Sequence, residues 1–239
     1  MNRTLILATL ALVATGGSAS LAAGQPQPPA PAAAAVLDHA PKGTVVFDDD
    51  GGRAQIVPRT AAESRDATFH GGPVVSGAAV QTLFLGSGWR ERSNRAKESE
   101  ATAALRDPRG AAATSLSRYG LKGWEVAGQP LEDPAGDPVA GPAISDLEIQ
   151  GRLDSLLGGA GPLDPKVVYV IFLAPGLGST LGSASSARDF AAYHNHLHSA
   201  AGVFHYVVVP YDDDAARWLA AARQSLHQAV INPEGNGWY

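Results

Sequence analysis

The run Val167-Val168-Tyr169-Val170-Ile171-Phe172-Leu173, closed by Pro175-Gly176, constrains this chain more than any other stretch. It is continuously apolar and rich in β-branched residues, and it is too short for a buried helix, so it predicts a central strand covered on both faces. Such a strand needs partners beside it and layers above and below it. Val80 to Leu85, ending at Gly86, and Phe204 to Val209, ending at Pro210, supply two more strands. Thr44 to Phe47 and Ala54 to Val57 flank Asp48-Asp49-Asp50-Gly51-Gly52-Arg53, whose Asp-Gly and Gly-Gly pairs predict a hairpin turn.

Two helices carry their own punctuation. Ser145 with Glu148 three residues on makes a capping box, after which Leu147, Leu153, Leu156 and Leu157 are expected on one face before Gly158-Gly159. The last helix starts at Asp214 as N-cap and keeps Trp218, Leu219, Ala222, Leu226, Ala229 and Val230 in helical period until Asn232-Pro233. Strands therefore alternate with helices, and the expected fold class is α/β: a single domain with a mixed sheet flanked by helices.

Met1-Asn2-Arg3 followed by the apolar run Leu5 to Val13 and small residues reads as a secretory signal, with Gly17-x-Ala19 or Ser20-x-Ala22 as cleavage candidates. The expected organisation is a signal peptide over 1–22, a Pro/Ala-rich disordered spacer over 23–42 and a folded domain over 43–239. The mature protein is expected to be secreted or periplasmic. No other segment reaches the ~18 apolar residues of a membrane span, so no membrane association is expected after signal cleavage. A net charge of -5, with 18 Lys+Arg scattered along the chain, gives no footprint for nucleic acid. With no cysteine, chemistry falls to His, Asp, Glu, Ser, Tyr or Lys.

Phe69-His70-Gly71-Gly72-Pro73-Val74-Val75-Ser76-Gly77, then Val80 to Gly86 and Trp89, resembles the opening of the phosphate-induced (Exordium-like) family of secreted proteins and its bacterial relatives. The resemblance continues through Ile144 to Gln150, Val167 to Leu173, Tyr193-His194 and Tyr206 to Tyr211, and ends in Asn232-Pro233-Glu234-Gly235-Asn236-Gly237-Trp238-Tyr239. It implies a zincin-like terminal helix, because many bacterial relatives carry Ser-His-Glu-Leu-x-Glu-Ala-x-Thr-Asp-Pro there. In that pattern His and the second Glu share a face and can hold a metal, while the first Glu can act as base. Here the stretch reads Arg223-Gln224-Ser225-Leu226-His227-Gln228-Ala229-Val230-Ile231-Asn232-Pro233. Gln224 takes the family His, and Ser225 and Gln228 take the two Glu positions. A neutral amide lacks the imidazole or carboxylate that Zn²⁺ selects, so the motif is degenerate. Relatives also continue past the Gly-Trp-Tyr stretch and carry cysteines near Tyr-His, and neither feature has a counterpart in this sequence.

His194-Asn195-His196-Leu197-His198 is the remaining concentration of metal-competent groups. On a strand His-x-His shares one face, and on a helix His194 and His198 are one turn apart, so either backbone can present two imidazoles to Zn²⁺, Cu²⁺ or Ni²⁺. A catalytic zinc wants a third ligand, which would require His205 or one of Asp212, Asp213 and Asp214 to fold back. Solvated loop histidines are the plainer reading. His227 is expected at the edge of its helix's packing face, and His70 in a structural turn.

Other motifs fail on spacing. Asp48-Asp49-Asp50 lacks the alternate ligands of a calcium loop, and Gly176-Leu177-Gly178-Ser179-Thr180-Leu181-Gly182 is not a dinucleotide fingerprint. No G-x-S-x-G elbow occurs. The expected function is a non-catalytic, exported Exordium-like binding protein with an extracellular or periplasmic partner and no cofactor. The alternative is a zinc-dependent, peptidase-like hydrolase with His194, His196 and His198 as ligands.

Overall fold

The computed structural model describes residues 44–47, 53–59, 71–106, 116–117, 119–121, 123–132, 141–158 and 163–237. All of them lie in one compact unit, residues 33–239. The signal and spacer, the Asp48–Asp50 turn, Phe69, His70, Trp238 and Tyr239 fall outside the described residues.

An 8-stranded mixed sheet dominates, with β1 (Thr44–Phe47), β2 (Arg53–Pro58), β10 (Phe190–Ser199), β11 (Gly202–Val209), β7 (Val167–Leu173), β3 (Ala78–Leu85) and β4 (Trp124–Val126) in that spatial order. The short β5 (Leu131–Glu132) also pairs with β3. From β1 to β11 the pairing is antiparallel, and from β11 to β4 it is parallel. The run that opened the sequence reading is thus β7, held between two parallel neighbours. Its residues alternate between two cores: Val168, Val170 and Phe172 on one face, Ile171 and Leu173 on the other.

Helix α1 (Arg95–Leu105) and helix α3 (Ala215–Ile231) belong to the first core, and helix α2 (Asp146–Leu157) to the second. The expected caps form. Ser145 and Glu148 bond reciprocally around the start of α2, and the Asp214 side chain accepts the Arg217 N–H at the start of α3. Trp218, Leu219, Ala222, Leu226, Ala229 and Val230 are all buried, so the period of α3 is satisfied by the sheet.

Two local expectations are corrected. Leu147 is 53% exposed, because the inward face of α2 is built instead from Asp146, Ile149, Gln150 and Leu153. A buried carboxylate and amide share that face with Ile149 and Leu153, and Leu147 is turned away from it. Nor do strands alternate strictly with helices. Between β7 and β11 the chain makes β8 (Gly178–Leu181), β9 (Ala184–Ser185) and β10. Strand β8 pairs with β6 (Ala143–Ser145) and β9 in a 3-stranded sheet. The glycine-rich stretch after β7 therefore leads into a strand, whereas a dinucleotide loop leads into a helix.

Glycine is required at two junctions. Gly86 has φ 110° at the end of β3, and a Cβ there would lie 2.9 Å from the Ala174 Cβ. At Gly72 a Cβ would lie 2.3 Å from the Gly237 Cα, so the 71–77 segment and the turn after α3 meet backbone to backbone. Val75 N–H donates to Val230 C=O across the same junction at 2.8 Å.

Candidate functional site

Strand β10 is polar on both faces and divides its chemistry between them. Tyr193 joins the core of α2 while Ala192 joins that of α3, so Asn195 follows Tyr193 and His194, His196 and His198 share the opposite face. The strand alternative for the histidine run is the one realised.

On the α2 face, the Asp146 carboxylate is 1% exposed and collects hydrogen bonds from three elements. Tyr193 Oη donates to Oδ1 at 2.7 Å, and Tyr206 Oη reaches Oδ1 at 2.9 Å and Oδ2 at 3.0 Å. Asn195 Nδ2 and Gln150 Nε2 each donate to Oδ2 at 2.9 Å, and Gln150 Nε2 also meets Tyr206 Oη at 3.0 Å. Burial pushes the Asp146 carboxyl up from its ordinary value, against the lowering effect of these donors. Burial, the nearby Asp146 charge and Tyr206 hold the Tyr193 phenol well above its usual range. The site is a saturated acceptor enclosed in protein, suited to locking α2 onto β10 and β11. The sequence reading had placed Asp146, Gln150, Tyr193 and Tyr206 in matched stretches without seeing that they meet. Their i,i+4 and cross-strand spacings are the only local signals.

On the α3 face, the three predicted metal residues part company. His194 is 1% exposed beneath the last turn of α3, where its Nε2 lies 2.9 Å from the Asn232 carbonyl oxygen. His196 is half-buried and His198 exposed, with ring centroids 5.2 Å apart and nearly perpendicular. Sequence reasoning had asked His205 to fold back. The ladder already does this, pairing His205 with His196 across β10 and β11. His205 is 6% exposed, and its Nδ1 has no hydrogen-bond partner among the described residues. Burial first, and then the neighbouring histidines, lower both His194 and His205 to about 4, while the Glu234 carboxylate pulls His205 the other way.

Two of the aspartates named as third ligands, Asp212 and Asp214, are engaged elsewhere. Asp212 accepts from Arg217 Nη2 at 2.6 Å and Nε at 2.8 Å and pairs with Arg59 at 3.5 Å, while Asp214 caps α3. Among the described residues, no three His, Asp or Glu side chains stand together as a ready metal cage.

The stretch from Gln224 to Gln228 lies on the same side of the sheet. Gln224 is exposed, whereas Ser225 and Gln228 are enclosed beneath α3, with the Ser225 hydroxyl and both Gln228 amide atoms lacking partners among the described residues. These side chains do not fit a zinc ion, since none supplies an anionic or imidazole donor. His227 lies at the edge of the packing face, edge-on to Tyr119, and burial lowers it to about 4.

Fold and clusters together define a mixed α/β protein with helices on both faces of one sheet and a two-faced polar strand at its centre. No family model, curated protein or solved structure matches the chain. None of the described helices is long and apolar enough to cross a membrane.

Proposed function

We propose that this chain is an exported, Exordium-like binding protein, without catalysis, that acts on an extracellular or periplasmic partner. One observation carries the reading: where the family resemblance implies a metal-holding, base-bearing helix, α3 presents Gln224 to solvent and encloses neutral Ser225 and Gln228. A helix with that face can pack but cannot ionise. The stretches that carry the resemblance meet in the fold. Gly72 abuts Gly237, Val75 bonds Val230, His194 bonds Asn232, and Tyr193 and Tyr206 both bond Asp146.

The alternative, a zinc-dependent hydrolase on His194, His196 and His198, draws on the shared face of those rings. His194 weakens it, because its Nε2 is held by Asn232 and α3 covers it.

Expression of the full chain with its N-terminus, followed by mass measurement of the exported product and incubation with an unstructured peptide library plus Zn²⁺, tests the reading. Export with cleavage after Ala19 or Ala22 and no peptide turnover is expected. Turnover abolished by His196→Gln would replace this reading with the hydrolase, and retention of an uncleaved chain inside the cell would remove the export.

A further inference from the structure

We propose that His196, His198 and His205 form a binding site for one divalent transition ion, of the Zn²⁺, Ni²⁺ or Cu²⁺ kind, near the turn of the β10–β11 hairpin. The site shares His196, His198 and the class of ion with the hydrolase alternative. It exchanges His194 for His205 and requires no turnover.

The ladder makes the arrangement. His196 and His205 are direct antiparallel partners, and side chains so opposed start about 5 Å apart at Cβ. His198 is two residues along the same face, about 7 Å further at the rise of a strand. One strand thus gives a His-x-His pair and its neighbour gives the third imidazole, the three-nitrogen donor set that leaves zinc a fourth position for water. The rings of His196 and His198 already stand 5.2 Å apart.

The side chains have different freedoms. His205 brings a buried Nδ1 that no described residue satisfies, and a neutral imidazole is the form that ligates. His198 is exposed, so it turns toward the pair without disturbing the core. Among the described residues the three imidazoles do not yet stand together as a cage, so the site closes on binding the ion. The Glu234 carboxylate favours a cation at His205. His194 is excluded because its Nε2 is committed to Asn232 beneath α3.

The test is titration of the untagged, EDTA-stripped mature chain with ZnCl₂, repeated with CoCl₂ so that visible absorption reports the coordination. One ion per chain is expected, with affinity lowered about tenfold or more in His198→Ala and in His196→Gln. His205→Gln should remove the tetrahedral cobalt spectrum, while His194→Gln, whose amide can still reach Asn232, should bind as the parent does. Absence of stoichiometric binding overturns the site, as does unchanged affinity in His198→Ala. The latter decides alone if His205→Gln fails to fold, because residue 198 is exposed. Binding lost in His194→Gln but kept in His205→Gln overturns this ligand set in favour of the alternative one. Peptide turnover, or failure of export, would strike the functional reading and leave the ion site standing.

Discussion

His196 on β10 stands opposite His205 on β11, whereas His194, two residues earlier on the same face, stands opposite Val207. That one step in register separates two kinds of histidine. One pair lies toward the hairpin turn with an exposed neighbour in His198, and the other ring is a packing element held by the end of α3. The first kind has ligand chemistry available, and the second has already spent its Nε2 on the backbone.

Stability is expected to fall as the medium is acidified from neutrality. His194, His205 and His227 are each lowered from 6.5 to about 4 in the folded chain. Between those values the unfolded chain binds protons that the folded chain refuses. Their contribution is therefore complete above about 6.5 and is lost toward about 4, at about 1.4 kcal/mol per pH unit for each histidine. Asp146 acts in the opposite sense. Its folded pKa is raised above 3.8, so the folded carboxyl protonates first and offsets part of the loss at the acid end. Urea midpoints should drop between about pH 7 and pH 5, and His227→Gln should flatten the slope; equal midpoints would contradict this.

Asp146→Asn is expected to be far milder than Asp146→Ala. An asparagine oxygen in the Oδ2 position still accepts from Gln150 and Asn195, and its NH₂ can donate to the Tyr193 and Tyr206 hydroxyls, so each partner keeps a bond. Alanine removes the acceptor that all four donors share. Costs of about 1 and about 3–5 kcal/mol respectively are expected from denaturant unfolding. Similar costs for both variants would mean that the carboxylate charge, not its hydrogen bonds, matters.

Gln228→Met and Ser225→Ala should leave stability unchanged or raise it, since each removes buried polar atoms that have no partner among the described residues. Gln228→Glu should do the reverse at neutral pH, because it places a charge at a buried position under α3. Thermal unfolding of the three variants checks the pair of claims; a marked loss in Gln228→Met would reveal a water-mediated role for the amide.

Gly72→Ala should destabilise by about 1–3 kcal/mol, because the new Cβ meets the Gly237 backbone with no flexible atom to yield. Gly71→Ala provides the contrast. Position 71 has φ 88° and nothing within 4 Å, so only the left-handed backbone penalty of about 1 kcal/mol applies. Faster exchange at the Val75 amide in Gly72→Ala alone would locate the damage at the junction with α3.

The elements legible in the sequence were those that state their environment locally. β7 announces burial by its composition, and α2 and α3 announce their starts through Ser145, Glu148 and Asp214. Strand β10 does not. Ala191-Ala192 and Asn195 are poor strand formers, and its two polar faces show no alternation, so the histidine run fitted strand and helix equally. The exposed Leu147 was misread for a related reason: α2 turns inward through Asp146 and Gln150, whose partners lie on β10 and β11. Neither the five-residue network nor the His196–His205 pairing has a short-range signature, because both depend on a register fixed by tertiary packing. Which of three histidines was sealed depended on where α3 ended above them.

The pairing of β2 with β10 carries a consequence for biosynthesis. Strand β2 takes its inner neighbour from a strand synthesised much later, and β3 likewise waits for β7. A nascent chain that lacks β10 holds β2 with its inner edge bare. Such distant pairings make folding slow relative to helical proteins of similar size. A polypeptide unable to finish its sheet until β10 has been made keeps its earlier strands unsealed through that much of synthesis.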